Sequence, residues 1–313
     1  MAMRNEEGST GITIPPEEEL FRQIMLTVEN VWGNKLSSRD VEKWLSNFGG
    51  LVFSLDYERR LALYLLANFV YYNDAEVRHL CKTLFNEFLH WVLLHEDPQI
   101  VSNIEAALDL TCYTSRFYPW GRLGESGAYV LYYFRQANNI PINYISDPDL
   151  LPVYVKYVVY IDDVVISGTQ ANQYLRLLTH KDQDRKIILL TFLATEEAIA
   201  LLKSNNIQVI SCIILDERSK CFSQSSNLFR DFKGDFENCK NFAVEYGKLS
   251  LRYQPGVCSP LGYMNGQYAF GFFYNTPDNT LPIFWADNQG WSPIMKRYEK
   301  YSGDFHYEHR RFV

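Results

Sequence analysis

Apolar and polar positions divide the chain into two textures. Between residues 17 and 110 the spacing is helical. Leu20, Ile24, Val28 and Val31 fall at three- and four-residue steps. Ser37, with Asp40 three positions on, reads as a helix cap. Val41, Trp44, Leu45 and Phe48 form the stripe behind it, and Gly49-Gly50 supplies a stop. Residues 56–72 are apolar nearly all round, which predicts a central, buried helix. Asn73 or Asp74 opens a further helix striped by Val77, Leu80, Cys81, Leu84, Phe88, Trp91 and Val92, and residues 98–110 predict one more. Five helices with short connections imply a bundle or cap. Residues 1–16 mix Gly, Ser, Thr and Glu, close on Pro15-Pro16, and read as a flexible lead.

Near Cys112 the texture changes. Residues 111–117 predict a short strand, 119–127 a loop, and 128–138 a helix stopped by Asn139 and Pro141. Residues 154–161 are a continuous run of β-branched and aromatic side chains, the pattern of a central parallel strand. A helix over 169–180, a strand over 186–192, a helix over 195–204 capped by Thr195 and a strand over 207–215 follow. Strand–helix–strand–helix–strand at this spacing predicts an α/β fold with a doubly wound, mostly parallel sheet, preceded by the helical region at 17–110. Residues 227–249 read as a helix. Residues 268–275 and 281–286 read as two strands joined through Pro277-Asp278-Asn279, and 295–313 as a surface or interface tail.

Composition narrows the function. Of the 313 residues, 47% are hydrophobic and 21% charged, the balance of a chain that buries a core. Aromatic residues reach 15%, which supplies core material and, alternatively, a surface for a partner. The net charge of −7 disfavours general nucleic-acid binding. Cys81, Cys112, Cys212, Cys221, Cys239 and Cys258 show no C-x-x-C spacing and the histidines no ligand spacing, so zinc and thioredoxin-type chemistry lack support. Serine hydrolase, zincin and Walker-type motifs are missing from the sequence. The apolar runs 61–72 and 88–94 fall short of the ~20 residues a membrane span needs, and the first ten residues lack the apolar stretch of a secretory signal, so the expected location is the cytoplasm.

The candidate chemistry lies in residues 158–170, Val-Val-Tyr-Ile-Asp-Asp-Val-Val-Ile-Ser-Gly-Thr-Gln. A buried strand delivers Asp162 and Asp163 to its carboxyl end, where open α/β sheets bind ligands. Adjacent acids there hold ribose hydroxyls, directly or through a hydrated Mg²⁺. The turn Ser167-Gly168-Thr169-Gln170 can aim N–H groups at a phosphate, with the following helix adding positive potential. Gly168 permits close backbone approach, and Ser167 and Thr169 add hydroxyl donors. An acidic strand end followed by an ordinary helix cap is the plainer alternative.

This segment resembles the ribose-phosphate signature of type I phosphoribosyltransferases, in which apolar residues flank an acid pair and a Thr/Ser-Gly loop closes the motif. The resemblance implies that Asp162 and Asp163 face the ribose of phosphoribosyl diphosphate and hold Mg²⁺, and that Val165, Ile166, Ser167, Gly168, Thr169 and Gln170 cradle its 5′-phosphate. Tyr160 and Ile166 are bulkier than usual, and Gln170 stands where a Thr or Ser commonly closes the loop. The upstream loop with Arg122, Gly124, Glu125, Ser126 and Gly127 occupies the relative position of the family's diphosphate loop, and equally reads as a loop and helix cap.

Pro260-Leu261-Gly262-Tyr263 and residues 274–285, together with the helical region, resemble phosphoribosyltransferase-like proteins of bacterial conflict (antiphage, retron-associated) systems. That likeness implies hood-like C-terminal strands within an α/β domain at 111–313. It makes Asn275, Asn279 and Trp285 candidates for contact with an acceptor, with a tight turn and a core tryptophan as the plainer readings; Asp216 and Arg218, after the third strand at the same sheet edge as Asp162, read as an extension of the site or, more plainly, as a solvated loop. It further implies an effector transferring or hydrolysing at ribose C1, controlled by a defence-system partner through the helical region. A non-catalytic nucleotide sensor and an interaction protein with an inert core stand as alternatives.

Overall fold

The computed structural model describes residues 14–95, 103–121, 125–145, 151–168, 185–229, 235–252, 259–288 and 290–298. The lead at 1–13, the helix expected over 169–180, and Arg122, Gly124, Thr169 and Gln170 lie outside the described residues, as does the tail beyond 298.

Among the described residues, five helices fill the N-terminal part: α1 (Glu17–Asn30), α2 (Ser38–Leu45), α3 (Leu55–Ala67), α4 (Asp74–His95) and α5 (Ile104–Thr114). Ser37 and Asp40 form a reciprocal capping box on α2. Asn73 and Glu76 do the same ahead of α4, each side chain accepting from the other's N–H. Between α3 and α4 the chain makes a short strand, β1 (Val70–Tyr72), inside the stretch expected to be wholly helical. Its pairing partner is far downstream, beyond the reach of a local pattern.

The main sheet is four-stranded and parallel, in the order β2 (Ser115–Pro119), β3 (Tyr157–Val165), β4 (Lys186–Thr195), β5 (Ile207–Leu215). Helices cover both faces, as the doubly wound expectation requires. α4 and α6 (Ser126–Ala137) share one core with Phe117, Val159, Ile161 and Ile188. α7 (Glu196–Lys203) packs Ala198 and Leu202 against Val158, Tyr160 and Leu189 on the other face. Successive strand residues point to opposite faces, so each strand's continuous apolar run feeds two cores at once.

Other local expectations shift as well. The strand expected over 111–117 begins only at Ser115, because Asn103 caps α5 and Thr114 returns its hydroxyl to Leu110 O at 2.7 Å, carrying that helix to Thr114. The helix expected from 227 is α8 (Phe236–Leu251). Asn227 N is committed to Arg218 O and Leu228 O to the Tyr64 hydroxyl, so these groups serve long-range contacts. Of the two expected C-terminal strands, the first shortens to β6 (Phe270–Phe272), which pairs in parallel with β1. The second is one turn of helix, α9 (Pro282–Trp285). Pro282 presets its first position, and Ile283 and Phe284 are buried; their carbonyls accept from Trp44 Nε1 and from the backbone of Ile294 and Met295. Met295, expected to open a surface or interface tail, is 1% exposed in that same core.

The core beneath α1–α3 is completed by the C-terminal part. Trp44 stacks on Phe284 at 5.8 Å, and Phe48 stacks on Phe242 of α8 at 5.5 Å. Glu58 of α3, fully buried, accepts from Gly50, Val52 and Phe53 N–H at 2.6, 2.6 and 3.0 Å, and from the Tyr246 hydroxyl of α8. A buried carboxylate is tolerated where several donors surround it. Among the described residues no helix is long and apolar enough to cross a membrane.

Candidate functional site

The acid pair sits within β3, which runs on past the expected end at Ile161 through Val164 and Val165. The register passes from Asp162 opposite Thr191 to Val164 opposite Leu193. Both acids are buried, at 8% and 6% exposure. Each closes a local bond. Asp162 Oδ1 accepts from Asp163 N at 2.9 Å, and Asp163 Oδ1 accepts from Val164 N at 2.9 Å. Such short-range bonds fix the carboxylates relative to the strand and leave lone pairs for other donors.

Two other segments converge on the pair. Ser126 donates from its hydroxyl to Asp162 Oδ1 at 3.2 Å, from the first position of α6. Gly127 explains how that helix comes so near. A Cβ there would lie 2.2 Å from Trp120 O, 2.7 Å from Trp120 N and 3.0 Å from Ile161 O. Only glycine lets the helix start rest on Trp120, just past β2, and on Ile161 of β3, where Trp120 N also donates to Ile161 O at 2.8 Å. Gly121 takes φ +84°, and a side chain there would strike the Glu125 carboxylate.

The second segment carries Tyr274. Its hydroxyl donates to Asp163 Oδ2 over a long 3.4 Å. Burial, and then the charges of Asp163 and Asp162, push this phenol well above its ordinary value, so it is a protonated donor. Burial also pushes the Asp163 carboxyl above the usual aspartate range, against hydrogen bonds from Asp162 and Ser126 that favour the charge. Two neighbouring acids in a dry site do not ionise as freely as two in water.

The phosphate-loop candidates are held from beneath. Thr195 donates its hydroxyl to Ile166 O and accepts from Ala198 N at 3.1 Å, joining the 166–168 turn to the start of α7. Gly168 adopts φ +63°, and its missing Cβ would meet Ala198 Cα and O at 3.3 Å. Its close approach in this structure is therefore to α7. Val165 is buried, while Ile166 and Ser167 are half-buried.

The remaining candidates are engaged elsewhere. Asp216 accepts from Arg218 N and Nε at 2.9 and 2.7 Å in a short turn after β5. Asn279 donates to Tyr263 O at 3.1 Å, Trp285 Nε1 to Thr280 O at 2.7 Å, and Asn275 Oδ1 accepts from Tyr298 N at 3.0 Å. These bonds organise the C-terminal segment itself. The residue of that segment that touches the acids is Tyr274, directly before Asn275. Sequence reasoning passed it over because a lone tyrosine beside a turn carries no spacing signal.

Among the described residues, no group of three or more His, Cys, Asp or Glu side chains gathers as a metal cage. The two carboxylates alone still suit Mg²⁺, which takes hard oxygen donors, commonly one or two acids, and fills its shell from phosphate and water.

No curated protein and no solved structure matches the chain. A family model, PRTase-CE, matches residues 41–297. That span begins within α2 and takes in the acid pair, the glycine-seated helix start and the C-terminal core around α9. A parallel α/β sheet with paired acids at its carboxyl edge, under a match of that extent, places the chain in the phosphoribosyltransferase-like PRTase-CE family.

Proposed function

We propose that the carboxyl edge of β3 binds a ribose 5-phosphate group, as phosphoribosyl diphosphate with Mg²⁺ or a related nucleotide, for transfer or hydrolysis at ribose C1. The observation that carries this reading is the convergence of Asp162, Asp163, Ser126 and Tyr274 at the end of a parallel strand. Adjacent carboxylates accept from vicinal hydroxyls, as a ribose presents them, and the turn at 166–168 follows where a phosphate on that ribose would lie.

Asp162 and Asp163 would hold Mg²⁺, which supplies neutralising charge for a departing diphosphate. The chain's own residues do the positioning. Ser126 and the backbone N–H of Asp163 orient Asp162, and Tyr274 and the N–H of Val164 orient Asp163. Burial strengthens each of these interactions, and holding the ribose fixed lowers the entropic part of the barrier at C1. Control by a protein partner, in a defence setting, is the biological role we assign to such an effector.

Calorimetric titration of the full chain with phosphoribosyl diphosphate and Mg²⁺ tests the reading, beside Asp162→Asn/Asp163→Asn. Binding that needs Mg²⁺ and vanishes in the double variant is expected. Equal binding by the double variant would overturn it. Release of diphosphate under the same conditions distinguishes turnover from sensing.

A further inference from the structure

Four aromatic rings stack in a column that ends beside the acid pair. Tyr72 of β1 lies 5.2 Å from Phe272 of β6 with planes 22° apart. Phe272 lies 5.4 Å from Tyr274 at 9°, and Tyr274 lies 6.0 Å from Tyr129 at 3°. From Phe272 outward the rings become more exposed. Phe272 is 3% exposed, Tyr274 half-buried with its hydroxyl on Asp163, and Tyr129 54% exposed. Tyr129 stands one helical turn after Ser126, whose hydroxyl holds Asp162. The last ring of the column is thus a flat, solvent-facing aromatic surface on the same helix turn that touches the carboxylates.

Nothing in the fold demands that ring. Its neighbours at Val130, Leu131 and Phe134 supply the buried face of α6, and Tyr129 lies off that face. Tyr129 keeps its ring parallel to Tyr274, which is itself packed on Phe272 and bonded to Asp163. A flat, accessible ring backed by another ring is what a planar heterocycle stacks on, since every base has a π-face.

We propose that Tyr129 is the stacking platform for a nucleobase carried by the ligand of the acid pair. The ligand class is then a nucleoside 5′-phosphate, or a base and ribose phosphate together, rather than a bare sugar phosphate. This rests on the ribose-phosphate reading above. Ser126, one turn before Tyr129, bonds Asp162, and Tyr274, on which Tyr129 stacks, bonds Asp163, so two short links join this exposed ring to the acid pair. Stacking discriminates weakly among bases, so the platform favours larger ring systems and leaves finer selection to other contacts.

The test is titration of the full chain with adenosine 5′-monophosphate, uridine 5′-monophosphate and ribose 5-phosphate, each with Mg²⁺, in the wild type, Tyr129→Ala, Tyr129→Phe and Asp162→Asn/Asp163→Asn. The wild type is expected to bind the purine nucleotide most tightly and ribose 5-phosphate most weakly. Tyr129→Ala should lose about tenfold in affinity for the nucleotides, as removal of one stacking ring does, and keep its affinity for ribose 5-phosphate. Tyr129→Phe should bind like the wild type. Nucleotide affinity unchanged in Tyr129→Ala, or an equal loss for ribose 5-phosphate, overturns the platform and leaves the acid-pair site standing. Binding that survives in the acid-pair variant, or no binding of any probe by the folded wild type, overturns the ribose-phosphate reading and the platform with it.

Discussion

Substitution of Gly127 by alanine is the most demanding test of how the site is assembled. The added Cβ would lie 2.2 Å from Trp120 O, about 1.2 Å inside the 3.4 Å at which ordinary contact begins. Trp120 N and Ile161 O stand at 2.7 and 3.0 Å, so the obstruction is backbone on two strands and no side chain can swing aside. Relief requires α6 to lift from the sheet by about an ångström or the ends of β2 and β3 to bend. Overpacking that cannot be relaxed by rotamers costs about 3 kcal/mol, at the upper end of such changes. Alanine's better helix propensity returns less than about 1 kcal/mol, so the net loss is about 2 kcal/mol or more. For a chain of 313 residues that lowers the melting temperature by roughly 3 °C. The same lift carries Ser126 away from Asp162, where 3.2 Å is already near the limit of a hydrogen bond. Ribose-phosphate affinity should fall alongside stability. Differential scanning calorimetry reads the first effect and titration the second. Gly49→Ala is the control, since a Cβ there meets nothing within 4 Å. A Gly127→Ala protein that melts with the wild type would show that helix and strands have slack at this junction, and the seating argument would fail.

Asp163→Asn should raise stability near neutral pH while removing ligand binding. Burial raises the folded-state pKa of this acid, so between its unfolded and folded values the native state holds more protons. Stability falls as pH rises through that window, and the asparagine variant lacks this slope; thermal melts in chelator across pH 4 to 8 check it, and an unchanged slope would refute the assignment to Asp163. Glu58→Gln should cost about 2 kcal/mol in denaturant unfolding, because the amide keeps one acceptor oxygen and turns its N–H₂ toward the other pair of donors, either Val52 and Phe53 N–H or Gly50 N–H and the Tyr246 hydroxyl. A loss under about 1 kcal/mol would mean that the 49–53 loop rearranges to find other acceptors.

Much of the sheet was legible because buried parallel strands announce themselves. The apolar run predicts β5 to the residue, and the position of Thr195 alone predicts the α7 cap. The acids were legible for the same reason, as charge at the end of an apolar run. What escaped were features set by distant partners. β1 and β6 are three residues each and exist because they pair with one another, so neither shows a period of its own. Leu281, Ile283 and Phe284 look like strand residues, yet Pro282 and the demand of Trp44 for the Ile283 carbonyl make a helical turn. Tyr129 and Tyr274 are separated widely in sequence, and no local pattern joins two tyrosines across that distance.

The bond from Trp44 Nε1 to Ile283 O closes a loop of 239 residues. During synthesis at about 5–20 residues per second, roughly 12–48 seconds separate the emergence of these two partners. Through that interval the apolar faces of α1–α3 lack Phe242, Phe284 and Met295, the side chains that finish their core. The nascent chain therefore presents sticky helices to the cell well before it can bury them. Its yield should depend on holdase chaperones and translation speed more than its final stability would suggest, and removal of the C-terminal segment should leave the N-terminal helices insoluble.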